Sequence, residues 1–147
     1  MKICVVCESI FKDYAIFVEG NCPLRNCCGE VIEIDENLYE AYKLLNEKDY
    51  MTTYCCSGHS YDEVDGCNAV NTYISFYGEV NFAKLPIGFK LERYEYINGA
   101  GNLVPSIGIR KKYQKDLTSI ELQKQLWKTS IEVLEWAEKL GVNIEAE

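Results

Sequence analysis

Two cysteine pairs constrain this chain more than any other feature. Cys4 and Cys7 are separated by two residues and Cys22 and Cys27 by four, with fourteen residues between the pairs. Two thiol-bearing turns joined by a short strand pair can present four sulfurs to one ion, which is the zinc-ribbon arrangement. The segment NCPLRNCCG supplies the Pro and Gly that such a bend needs. The first ten residues bury too little apolar surface to fold alone, so a metal would supply the missing stabilisation. A structural zinc ion on Cys4, Cys7, Cys22 and Cys27 is therefore expected, with Cys28 competing with Cys27 for the fourth place. The alternative is a set of small buried thiols, a common fate of free cysteine. A closed four-thiolate site leaves no open position for catalysis.

The rest of the composition bounds the class. At 147 residues the chain is one domain with at most a small appendage, and 48% hydrophobic with 26% charged residues is too apolar for disorder. The net charge of −8 lies entirely in residues 1–109, which carry 8 basic and 16 acidic residues against 7 and 7 in residues 110–147. Such an acidic body argues against broad electrostatic binding of nucleic acid, which relies on Lys and Arg neutralising phosphates. It leaves room for a local basic patch. It also allows an acidic surface that competes with nucleic acid for a basic protein. The one basic cluster, Arg110, Lys111, Lys112 and Lys115, reads either as phosphate contacts or as a solvated lead-in to a helix. No signal peptide and no apolar run of about 20 residues is visible, so a cytoplasmic protein without membrane association is expected. There, eight cysteines read as metal ligands and free thiols rather than disulfides.

Short strands are expected at Tyr14–Val18 and Glu30–Ile34. A helix capped by Asp35 should follow, running through Asn46 with Leu38, Ala41, Tyr42 and Leu45 inward. Further strands are expected at MTTYC, at TYISFYG, at KLERYEYI and, after a hairpin at NGAGN, at LVPSIGIR. Pro105 pushes that last strand toward a sheet edge or a bulge. The clearest element is a helix over 119–140. Thr118 and Glu121 have capping-box spacing, Leu117 and Leu122 fit a hydrophobic staple, and Gly141 ends it. Its apolar positions exceed one stripe, so one face should pack on the sheet and the surplus, a tryptophan included, could meet a second subunit.

A second cluster, Cys55, Cys56, Ser57 and His59, sits where a strand becomes a turn. Three chemistries compete there. A Cys–His pair could form a nucleophile. Cys55 or Cys56 with His59 and Cys67 could hold another metal. Ser57 and Gly58 could offer backbone amides and a hydroxyl to a phosphate or carboxylate, with His59 adding a hydrogen bond. A merely packed turn is the fourth reading. Tyr54, Tyr61, Tyr73 and Tyr77 fall near this turn, where they would stack on a base or fill the rim of the core.

The residues Ile34-Asp35-Glu36, Leu45-Asn46, Tyr50, Thr52 and Cys55 to His59 carry a resemblance. Together they resemble a group of small bacterial and phage proteins that place a zinc ribbon before a CCSGH segment. More distantly, residues 34–76 are similar to the tRNA wybutosine-synthesising methyltransferase family, whose members carry LN…YYTTSSCSGR. That second similarity implies an S-adenosylmethionine-dependent, RNA-modifying fold with Thr53, Cys56, Ser57 and Gly58 at a ligand cleft. His59 stands where that family has arginine.

The sequence thus reads as an α+β protein. A zinc-ribbon module at 1–33 precedes an α+β body at 34–147, with a mixed or antiparallel sheet, one short helix and one long C-terminal helix. The expected function is a non-catalytic binding module for a nucleotide or nucleic-acid end. Its expected ligand contacts are Thr53, Tyr54, Cys56, Ser57, Gly58, His59 and Tyr73. The alternatives are a methyltransferase-like RNA-modifying enzyme and a phage-type inhibitor that binds a protein of a host defence complex. A homo-oligomer through the C-terminal helix is also expected.

Overall fold

The computed structural model describes residues 1–4, 6–11, 22–24, 26, 27, 29, 31–58, 70–97, 100–114 and 116–144. Within them the chain is α+β. Strands β1 (Lys2–Cys4), β2 (Ile10–Phe11) and β3 (Val31–Glu33) form a small antiparallel sheet in the order β2-β1-β3. Strands β4 (Thr52–Cys56), β5 (Asn71–Tyr77), β6 (Lys90–Ile97) and β7 (Leu103–Lys112) form a larger antiparallel sheet in the order β4-β5-β7-β6. A 3-10 turn at Glu36–Leu38 leads into helix α1 (Tyr39–Glu47), and helix α2 spans Ser119–Lys139. The strand expected at Tyr14–Val18 lies outside the described residues.

Register explains the larger sheet's two faces. Ile74 pairs with Ile109 and Phe76 with Ile107, so these four side chains line one face. With Val133, Trp136 and Ala137 of α2 and Leu38, Ala41 and Leu45 near α1, they form one buried cluster. Ile3 and Ile32 of the small sheet and Ile34 belong to that same cluster, so the two sheets share a core. Pro105 sits in a strand with neighbours on both sides, yet β5 ends where Tyr77 meets Ser106. At Pro105 only β6 pairs with β7, so the ladder is one-sided where the proline lacks its donor.

Asp35 corrects one expectation. It precedes the 3-10 turn in extended conformation, but its side chain caps nothing there. Oδ2 instead accepts hydrogen bonds from the Ser57 amide at 2.6 Å and the Ser57 hydroxyl at 2.9 Å. The Asp35 amide donates to the Cys55 carbonyl at 3.3 Å, and Ile34 bridges Cys55 in parallel. The carboxylate therefore ties the junction between β3 and the 3-10 turn to the end of β4. The capping box of α2 is present as read, with Thr118 Oγ1 and Glu121 satisfying each other's backbone amides. At the other end, Lys48 Nζ donates to the carbonyls of Ala137, Glu138 and Leu140 at 2.7 to 2.8 Å. A cation there satisfies orphan carbonyls and the negative end of the helix dipole.

Candidate functional site

The four expected ligands converge. The Sγ atoms of Cys4, Cys7, Cys22 and Cys27 all lie within 4.8 Å of one another. Cys4 and Cys27 sulfurs are 3.5 Å apart and those of Cys7 and Cys22 3.7 Å apart. A disulfide needs about 2.05 Å, so these are separate thiols. A tetrahedral centre with metal–sulfur bonds of about 2.3 Å places its sulfurs roughly 3.8 Å apart, close to the spacing found. Cys28 lies outside the described residues, and Cys27 occupies the fourth corner.

Two matching turns build the cluster. The Cys4 amide donates to the Ser9 carbonyl at 3.1 Å, and the Cys22 amide donates to the Gly29 carbonyl at 2.8 Å. Each first cysteine is thus locked by the chain returning past the second. The returns need left-handed backbone, supplied at Glu8 (φ 58°) and Asn26 (φ 65°). Asn tolerates this region better than most residues, and Glu8 bears the strain. Gly29, expected only as a bend residue, also packs against the first ligand. A Cβ there would lie 2.5 Å from Cys4 Sγ and 2.8 Å from Val6 Cβ. Glycine is required because the second turn passes against the first ligand.

The thiols differ in acidity. The side chain and backbone of Ser9 hydrogen-bond Cys7 and lower its thiol to about 6, whereas burial raises Cys22 to about 12. A cation entering the cluster must displace firmly held protons, so its affinity rises with pH. The closed set of four thiolates suits a structural ion rather than a reacting one.

The second cluster is arranged differently. Cys55 and Cys56 are buried, and burial raises the Cys55 thiol to about 12, so it is protonated and unreactive at neutral pH. Ser57 is buried with its amide and hydroxyl both engaged by Asp35. Its carbonyl accepts from Thr72 Oγ1, which lies 2.6 Å from the Tyr113 hydroxyl. Gly58 has φ 98°, and a Cβ there would approach Leu126 Cδ2 to 2.8 Å and the Asn71 carbonyl to 3.1 Å. The Ser-Gly turn is therefore packed under α2, and Ser57 has spent the donors that an anion would use. Thr53 is half-buried at an irregularity of register between Thr52 and Tyr54. His59, Tyr61 and Cys67 lie outside the described residues.

Tyr73 opens a different surface. It pairs with Cys56 on one side and Arg110 on the other, on the sheet face away from the core. The Arg110 guanidinium lies 4.8 Å from the Tyr73 ring centre, held by a 2.8 Å bond from Nε to Glu92. Tyr77, Tyr94, Lys90 and Lys112 share this face by register. Among its described residues, Lys90, Arg110 and Lys112 meet one carboxylate, Glu92, in a chain whose net charge is −8. Gly108 lets the Tyr94 ring lie down on the sheet, since a Cβ would sit 3.3 Å from Tyr94 Cε1. Lys111 points the other way, donating to Thr129 Oγ1 at 3.1 Å, so the basic run divides between the two faces. Lys115 lies outside the described residues.

Comparison of the chain with family models, with curated proteins and with solved structures returns no match. Among the described residues no helix is long and apolar enough to cross a membrane.

Proposed function

We propose that this protein is a non-catalytic module stapled by one structural zinc ion, and that it binds single-stranded nucleic acid on the open face of its larger sheet. The observation that carries the reading is the Tyr73–Arg110 stack. Flat aromatic and guanidinium surfaces on a sheet are what an unstacked base requires. Tyr77 and Tyr94, 37% and 39% exposed, extend the platform, and Lys90 and Lys112 stand where phosphates would pass. Tyr73 adjoins Cys56 in the ladder, so the ligand would lie beside the turn that the sequence singles out rather than on Ser57 itself. Zinc is the assignment for the thiol cluster because a closed tetrahedral sulfur set is its usual structural site. No described residue near the turn offers an activated nucleophile, which favours binding over catalysis.

Fluorescence anisotropy with labelled single-stranded RNA and DNA oligonucleotides tests this. Base stacking contributes about 1–3 kcal/mol per ring, so Tyr73→Ala should weaken binding roughly 5- to 150-fold. Arg110→Ala should weaken it and flatten its salt dependence. Binding that is absent, or unmoved by both substitutions, would overturn the proposal.

A further inference from the structure

The outward face of α2 carries a second, independent surface. At about 100° per residue, Ile120, Trp127 and Ile131 fall within roughly 20° of one line along the helix, with Leu134, half-buried against the core, at its edge. The buried Leu122, Val133 and Trp136 lie on the opposite side. Ile120 is 67% exposed, Trp127 61% and Ile131 44%, although the helix already has a complete core face. The charges nearest this line are segregated, with Glu121 and Lys139 of opposite sign farther round the helix. Lys124 and Lys128 flank the N-terminal half of the stripe, and Glu135 and Glu138 the C-terminal half.

We infer that this face binds a second copy of the chain, with the two α2 helices antiparallel and centred on Ile131. In that register Ile131 meets Ile131 of the second copy and Trp127 packs over the exposed edge of its half-buried Leu134. Lys124 then faces its Glu138, and Lys128, which lies 3.7 Å from Glu132 of its own helix, comes level with its Glu135. Ile120 reaches its Val142, which is 60% exposed just past the helix end. A parallel pair would set Glu138, which lies on the stripe, against its own copy and place the lysines on opposite sides of the interface, so the charge pattern favours the antiparallel one. A single helix face is smaller than the roughly 800 Å² per partner of a standard interface, so the dimer is a concentration-dependent one. Its two tyrosine-bearing sheet faces would point outward, away from the interface.

Sedimentation equilibrium of the zinc-loaded full chain, from about 1 µM to 1 mM, tests the inference over the affinity range of small interfaces. The wild type should pass from monomer to dimer. Trp127→Ala, which removes an exposed side chain, should stay monomeric while keeping its circular dichroism and melting temperature. The double variants Lys124→Glu/Lys128→Glu and Glu135→Lys/Glu138→Lys should each be monomeric alone and form a one-to-one heterodimer when mixed. A wild type that remains monomeric throughout would overturn the inference. So would a Trp127→Ala protein that dimerises as well as wild type, or folded double variants that fail to pair when mixed.

Discussion

Replacing Asp35 by alanine should cost about 3–5 kcal/mol of stability. Oδ2 accepts two hydrogen bonds from Ser57, at 2.6 and 2.9 Å, and Ser57 is 6% exposed. Hydrogen bonds to a charged partner contribute roughly 1.5–3 kcal/mol each, and stranding a buried donor adds its desolvation cost. Asp35 itself is half-buried, so water entering the space offsets part of the loss and favours the low end of that range. Asp35→Asn keeps an acceptor oxygen and should lose about 1–2 kcal/mol, whereas Ser57→Ala removes only the hydroxyl bond and should cost about the same. Urea unfolding of the metal-loaded protein, followed by circular dichroism, measures all three. At this chain length about 3 kcal/mol corresponds to a fall of roughly 6–12 °C in melting temperature. An Asp35→Ala protein within about 1 kcal/mol of wild type would refute the reasoning. It would mean that the Ser57 donors are readily solvated, and so open to an anionic ligand after all.

Two further substitutions probe the site and the core. Gly29→Ala should displace Cys4 Sγ or Val6 and lower metal affinity by at least tenfold in a chelator competition, since a Cβ would lie 2.5 Å from that sulfur; unchanged affinity would show that the turn relaxes freely. Cys55 bears on alkaline stability because burial raises its thiol from 9.0 to about 12. The unfolded chain then loses this proton first, so stability is intact below pH 9 and falls as pH rises from 9 toward 12. Tyr42, which burial also raises to about 12, adds to the same decline. Cys55→Ala should flatten the alkaline limb of a denaturation-midpoint series, and an unchanged slope would remove Cys55 from the account.

How much of this was legible in the sequence follows from the range of each interaction. The thiol cluster could be read because two local turns carry its ligands, and spacing within a turn is a sequence property. α2 could be read for the same reason, with Thr118 and Glu121 three residues apart and Leu140 and Gly141 closing the period. Asp35 was misread because its local capping role and its pairing with Ser57, 22 residues away, draw on the same carboxylate. Nothing local says which wins. The Tyr73–Arg110 platform depends on the β5–β7 register, set by Ile74 meeting Ile109 and Phe76 meeting Ile107 across the core face. Sequence marked both residues but could not place them opposite one another. Gly29 could be read as a bend glycine but not as a packing one, because its close approach to Cys4 joins chain segments 25 residues apart. Composition likewise hid the sheet face, since an acidic average conceals three basic side chains gathered on one side.

The central claim is that four separate thiols act as one metal centre that folds the N-terminal cysteine segment. Native mass spectrometry beside a denaturing spectrum of the same preparation tests it most directly. One zinc ion per chain in the folded protein, lost in Cys4→Ser together with the ribbon's protection from proteolysis, is the predicted result. A metal-free folded protein from zinc-replete cells, or full zinc content in Cys4→Ser, would contradict it.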